Sequence, residues 1–258
     1  MNAPQGESRP LLGRRALVVG GSGGIGRALS LELGRRGASL VVQGGSSRER
    51  LDSCLDALRD AGVAAEGFLM ELDGSPGCVG GLIAALPSLG RIDVLAVAFG
   101  PFLRRSLAET GVADWERLAL LDLALPGALA SSLLPAMAQR GWGRILLFGG
   151  TRTDGIRAFS SNAAYAAAKT GLAVLAKSLA AEGGNRGVGC VLVCPGLVDT
   201  EYLGEAERVA LRAHAPGGRL LAPGEVASAA VDLIAAEPCV ASGSIVSLDG
   251  GLSFNSYS

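Results

Sequence analysis

The chain has 258 residues, 49% of them hydrophobic and 18% charged, with 23 basic and 24 acidic side chains. That length and apolar content suit one substantial buried core and exclude a disordered chain. The nearly cancelled charge gives no general field for nucleic acid or anionic lipid, and the 4% aromatic content gives no stacking platform. Cysteines at 54, 78, 190, 194 and 239 lack metal-ligand spacing, so no metal site and no disulfide framework are expected; Cys190 and Cys194 sit in an apolar run and read as core, and a reducing cytoplasm is expected. Residues 1–10 read as a flexible tail without the apolar segment of a signal peptide. The apolar stretch 118–137 is interrupted by Asp122, Pro126 and Pro135, so no membrane span is expected.

Residues 15–20 form a short apolar run that ends in glycines and predicts a buried strand. Residues 25–36 carry Ile25, Leu29 and Leu33 at helical spacing and stop at Gly37. Strands are then expected at 39–43 and 67–72, with a helix over 48–61 between them, and a fourth strand at 92–98. The stretch 113–139 predicts two helices or one bent helix. A fifth strand (144–148), a helix (163–181), a sixth strand (189–194) and a seventh (244–248) complete the series. Strands alternating with helices through short connections predict an α/β fold, a doubly wound parallel sheet with helices on both faces.

The turn Gly20-Gly21-Ser22-Gly23-Gly24-Ile25-Gly26 lies between the first strand and the first helix. Glycines allow a tight turn and let a pyrophosphate approach the helix N-terminus, where free N–H groups and the helix dipole stabilise negative charge. The second strand runs out through Gln43, Gly44, Gly45, Ser46, Ser47 and Arg48, with no carboxylate before Glu49. An NAD site usually places Asp or Glu there. Its absence, with Gly44, Ser46, Ser47 and Arg48 available to a 2′-phosphate, favours NADP(H) over NAD(H). The same residues also fit a solvated turn in which Ser47 caps a helix and Arg48 is exposed.

Tyr165 and Lys169 stand four residues apart in a helical stretch, separated by three alanines, and so share one face. With so few tyrosines and lysines in the chain, such a pair is expected by chance only roughly 0.02 times. A free phenol titrates near pH 10, too high for ready proton exchange at neutrality, and a neighbouring ammonium favours the phenolate. Tyr165 is therefore expected to have a lowered pKa and to act as acid/base on a carbonyl or alcohol, with Lys169 as its partner.

These features, with Cys194-Pro195-Gly196, Thr200, Gly243 and Asp249-Gly250-Gly251 in the same order, resemble the short-chain dehydrogenase/reductase family, in particular its 3-oxoacyl-ACP-reductase-like branch. The resemblance spans residues 15–251. It implies a single Rossmann-like catalytic domain over 11–258 with a seven-stranded parallel sheet, a substrate lid at 201–221, hydride transfer with a nicotinamide cofactor, and a homodimer or homotetramer. It implies further that Lys169 bonds the nicotinamide ribose, that Asp73 meets adenine, and that Pro195, Gly196, Val198 and Thr200 meet the carboxamide. The separation of four favours a ketone or secondary alcohol as the small-molecule substrate.

Three positions depart from that family's pattern. Its Asn-Asn-Ala-Gly is replaced by Val97-Ala98-Phe99-Gly100, which puts Phe99 and Gly100 beside the nicotinamide. Its helix Asn is replaced by Asp122, which fits either a group that titrates with the site or an ordinary helix carboxylate. Its substrate-binding Ser is replaced by Gly150, leaving Thr151 as the substitute hydroxyl, with Thr153 and Ser160 as alternatives. Two functions follow: an NADP(H)-dependent oxidoreductase, or a cofactor-binding protein with weakened or lost catalysis that serves as partner subunit or redox sensor.

Overall fold

A computed structural model describes residues 9–75 and 77–252; residues 1–8 of the expected tail lie outside the described residues. Strands β1 (Arg15–Val19), β2 (Ser39–Gly44), β3 (Ala65–Leu69), β4 (Val94–Val97), β5 (Gly143–Phe148), β6 (Val188–Pro195) and β7 (Ile245–Leu248) pair in parallel in the order β3-β2-β1-β4-β5-β6-β7. This is the expected seven-stranded parallel sheet. Successive strand side chains point to opposite faces, and both faces are apolar. Leu17, Leu95, Ile145 and Leu192 join one core with α5 (Leu125–Gln139) and α6 (Ala163–Gly183). Val18, Ala96, Leu146 and Val191 join the other with α1 (Gly24–Arg35), α2 (Arg48–Asp60) and α8 (Pro223–Ala235). A strand buried on both sides shows no polar alternation, which is why these strands read as continuous apolar runs.

The third strand starts and ends earlier than 67–72, because residues 70–72 leave the sheet toward the groove at its edge. Helices α3 (Cys78–Ala85) and α8 were not expected, while α7 (Glu205–Arg212) lies in the segment 201–221, whose Glu, Arg and Ala content also suits a surface helix. The stretch 113–139 is one continuous bent helix: α4 (Val112–Ala119), a π-turn (Leu120–Ala124) and α5. Pro126 has no N–H to offer the carbonyl four residues back, and Leu125 N–H reaches Leu120 O instead, an i→i−5 bond. By length and composition Val112–Gln139 could cross a bilayer, with mean hydropathy 1.6. Its Leu121, Leu125, Leu129 and Met137 are nevertheless fully buried against the sheet, the packing of a core helix.

Strand order reverses between β1 and β4, so a crevice opens at the carboxyl ends of these strands, where open α/β sheets bind ligands. The crevice depends on how tightly β1 turns into α1. A Cβ on Gly26 would overlap the Gly20 carbonyl, a backbone atom with no room to give. Gly26→Ala is therefore expected to destabilise the fold by about 2–3 kcal/mol, measured by urea denaturation.

Candidate active site

Gly20 adopts φ 75°, a left-handed conformation that suits glycine. Its N–H donates to Gln43 Oε1 at 2.8 Å, and Gln43 Nε2 donates to the Gly44 and Met70 carbonyls, each at 2.7 Å. The buried Gln43 amide thus ties the glycine turn to β2 and to the segment leaving β3. Above the turn lies a groove of about 530 Å³. Of the residues expected to hold cofactor, Gly20, Ser22, Gly23, Gly24, Ile25, Ser46, Ser47, Asp73, Phe99, Gly100 and Thr200 line it.

Four of the expected residues play other parts, and Ser47, which lines the groove, has a second one. Arg48 is 64% exposed and stands 3.9 Å from Asp52, away from the groove, while Arg50 lines it. Ser47 accepts Arg50 N–H at 3.2 Å and caps α2, so the capping alternative describes Ser47 and Arg48. Gly44 is a buried strand residue whose carbonyl accepts Met70 N–H. Gly26 is a packing glycine. Val198 pairs with Leu221 as an isolated bridge and packs on the core. The Gly196 carbonyl accepts the Thr151 hydroxyl at 3.1 Å.

The groove leads to a recess of about 190 Å³ lined by Phe99, Gly100, Gly150, Thr151, Tyr165, Lys169 and Pro195. One face of α6 delivers Tyr165 and Lys169 together, with the ammonium 5.9 Å from the phenol ring centroid. Lys169 Nζ donates to Phe148 O at 3.1 Å and stands 3.1 Å from Asp122 Oδ1. Lys169 is 4% exposed and Asp122 not at all. The pair misses hydrogen-bond alignment, and neither Asp122 oxygen receives an aligned donor among the described residues. Burial pushes the Asp122 carboxyl up to about 6, against the opposing pull of Lys169 and, more weakly, Arg117. Asp122 does not line the recess; it lies behind Lys169.

The expected lowering of the Tyr165 pKa is not what the protein alone produces. Burial raises it, and the Asp122 and Cys194 charges raise it further. Lys169 is drawn toward Asp122 and the Phe148 carbonyl. Gly150 explains the phenol's position, because a Cβ there would come within 2.6 Å of the Tyr165 hydroxyl and 2.7 Å of its ring. The phenol occupies the space a serine side chain would take. Of the three candidate hydroxyls only Thr151 lines the recess. Thr153 is fully buried and exchanges hydrogen bonds with the Gly150 N–H and carbonyl, at 2.8 and 3.0 Å, while Ser160 is exposed. Burial pushes the Cys194 thiol up to about 11, which leaves it protonated and poorly nucleophilic.

Phe102, which the sequence offers with Phe99 and Leu103 as an apolar wall or as core, meets the Tyr165 ring edge-on, with centroids 5.0 Å apart. Other site residues escaped the sequence reading. Arg50 sits one helical position pair beyond Arg48, and a helix start does not reveal which arginine faces the groove. Glu201 and Tyr202, from a distant segment, reach the glycine turn: Glu201 Oε1 accepts Gly24 N–H at 2.8 Å, and a side chain at Gly23 would collide with the Tyr202 hydroxyl. No group of ligands able to hold a metal occurs among the described residues.

Residues 14–209 match the family model described as short chain dehydrogenase. The chain is 30% identical to a 3-oxoacyl-[acyl-carrier-protein] reductase of Pseudomonas aeruginosa over 245 residues, 94% of this chain and 98% of that one. It is 31% identical to a cis-4-hydroxycyclohexanecarboxylate dehydrogenase of Sinomonas cyclohexanicum, over 92% of this chain and 96% of that one. Its fold superposes with TM-score 0.83 on a 3-oxoacyl (acyl-carrier-protein) reductase of Agrobacterium tumefaciens solved with NADP bound, 28% identical over 93% of this chain and 94% of that one.

Asp122 sets a pH dependence. Its folded value, about 6, lies above the ordinary 3.8, so the fold favours the protonated acid. The stability this contributes is complete below about pH 4 and is lost as pH rises through 6, a difference of roughly 3 kcal/mol. Denaturation from pH 4 to pH 8 should show that loss in the wild-type chain, and its absence in Asp122→Asn, as a difference in slope between the two.

Proposed function

The chain belongs to the short-chain dehydrogenase/reductase family and is an NAD(P)-dependent oxidoreductase; from that premise we propose that it transfers hydride between NADP(H) and a ketone or secondary alcohol, with Tyr165 as acid/base. The observation that carries the reading is the recess in which Tyr165, Lys169 and Thr151 converge at the end of the cofactor groove. The groove suits a dinucleotide: its glycine cradle would be filled by side chains, and the Gly24 N–H already holds a carboxylate. Gly20 to Ile25 would hold the pyrophosphate, Asp73 the adenine side, Ser46, Ser47 and Arg50 a 2′-phosphate, and Pro195 and Thr200 the nicotinamide end. When bound, the nicotinamide carries the hydride and, oxidised, adds the positive charge that favours a Tyr165 phenolate.

In reduction, Tyr165 gives its proton to the substrate oxygen as hydride reaches the carbonyl carbon; in oxidation it takes the alcohol proton. Lys169 holds the ribose and steadies the phenolate, Asp122 sets the position of Lys169, and Thr151 supplies the hydroxyl that Gly150 lacks. Phe99 gives the recess an apolar wall suited to a carbon skeleton beside the carbonyl, and Phe102 flanks the Tyr165 ring. The non-catalytic alternative is the poorer account, since it gives no reason for Tyr165 and Lys169 to meet in one recess. The same reading makes the chain a cytoplasmic homodimer or homotetramer, without nucleic-acid or membrane partners. The segment 201–221 is its substrate lid, and 11–258 its single catalytic domain.

Tyr165→Phe should lower turnover by about a thousandfold with any carbonyl the enzyme accepts, while the Kd for NADPH stays within about twofold of wild type; full turnover in that variant removes the mechanism. Cofactor choice is tested separately. Arg50→Ala should weaken NADPH binding by about tenfold and leave NADH unchanged, as loss of a charged hydrogen bond to phosphate predicts, whereas Arg48→Ala should alter neither; fluorescence titration reads both.

A further inference from the structure

A dinucleotide groove needs its helix N-terminus free, yet Glu201 Oε1 accepts the Gly24 N–H at 2.8 Å from a position 177 residues along the chain. Beside it the Tyr202 hydroxyl stands over Gly23, and the ring edge comes within 3.2 Å of where a Gly24 Cβ would be. On its other side the Tyr202 ring lies 5.5 Å from the Arg50 guanidinium. One dipeptide therefore covers the anion donor, the glycine cradle and the groove's arginine. Helix N-terminal N–H groups attract any anion that reaches them, and a carboxylate and a phosphate compete for the same donor.

We propose that Glu201 and Tyr202 form an internal plug at the pyrophosphate position, which the cofactor must displace, so that Glu201 sets cofactor affinity. The proposal rests on the nicotinamide-dinucleotide reading given above. The plug is built to leave. Glu201 is exposed and Tyr202 is 60% exposed, so neither is locked by packing. The segment is fastened outside the dipeptide: Asp199 N–H donates to Leu221 O at 2.8 Å, and Arg208 donates to Asp199 Oδ1 at 2.6 Å and to Thr200 O at 3.0 Å. Residues 201 and 202 can swing away from Gly23 and Gly24 with all three bonds intact. When only a fraction of molecules is open, the apparent Kd exceeds the intrinsic one by the inverse of that fraction.

The test uses the full chain and its Glu201→Ala variant, titrated with NADPH by fluorescence, together with the Gly24 amide signal in 1H–15N NMR spectra of both without cofactor. The variant should bind NADPH about two- to fivefold more tightly, the range an exposed carboxylate at a helix N-terminus commands. Its Gly24 amide should shift away from the wild-type position, since a carboxylate acceptor has been lost. Equal affinities overturn the proposal. So does tighter binding with an unmoved Gly24 amide, which would reduce Glu201 to simple charge repulsion at a distance. A chain whose Gly24 amide responds to the substitution but which binds neither NADPH nor NADH retains the contact and overturns the cofactor reading, and with it the role of the contact as a plug.

Discussion

A buried ammonium sets the terms for the rest of this site. Lys169 lies out of water, where an unpaired charge costs several kcal/mol, and it is held between the Phe148 carbonyl and the Asp122 carboxylate at 3.1 Å each. The neighbours obey that arrangement. A Cβ on Gly100 would run into both Asp122 and Lys169, so the end of β4 passes close by only because it carries no side chain. Asp122 lies in the π-turn that Pro126 imposes, and a π-turn rotates the residues it contains relative to an unbroken helix. Tyr165, one helical turn before Lys169, then has its place fixed on the wall of the recess. Asp122, when ionised, sets a negative charge beside the buried positive one, and this attraction offsets part of the cost of burying both.

The loss at position 150 has been absorbed in a different way. Without a side chain there, the phenol leans into the gap and meets Phe102 edge-on. The turn that follows is drawn tight by Thr153, which bonds both backbone groups of Gly150, and it places Arg152 at φ 63°, in the left-handed region. That tightness brings Thr151 to the recess and sends Thr153 into the core. Two threonines two positions apart thus serve different ends, one presenting a hydroxyl and the other fixing the loop that presents it.

The sheet was legible because its central strands, β1, β2, β4, β5 and β6, are buried on both faces, so each one shows as an isolated apolar run. Tyr165 and Lys169 were legible because helical spacing guarantees a shared face. The elements missed had weak local signals: α3 carries Gly80 and Gly81, and α8 opens on Pro223-Gly224, both compositions that resemble loops. The choice between Arg48 and Arg50 depends on helix phase at the first turn, which a cap at Ser47 fixes only once its geometry is known. The phenol's raised pKa was out of reach for a related reason. Sequence spacing says that a cation is near, but not that a carboxylate 43 positions upstream has first claim on it. Gln43 read as the end of a strand, and its bonds to Gly20 in the glycine turn and to Met70 beyond β3 are long-range facts.

The contact between Glu201 and Gly24 links cofactor binding to the segment that follows β6. Two anions cannot both accept the same N–H, so a phosphate on Gly24 favours the conformers in which residues 201 and 202 have swung clear. A ligand shifts an equilibrium only by its differential affinity for the two states, and here the difference is localised in one hydrogen bond and one aromatic contact. Because Arg208 ties α7 to Asp199 and Thr200, the displacement is confined to the few residues between Thr200 and α7. Arg50 gains in the same event, since the ring it faces leaves with the carboxylate. The cofactor thereby clears its own phosphate contacts as it binds.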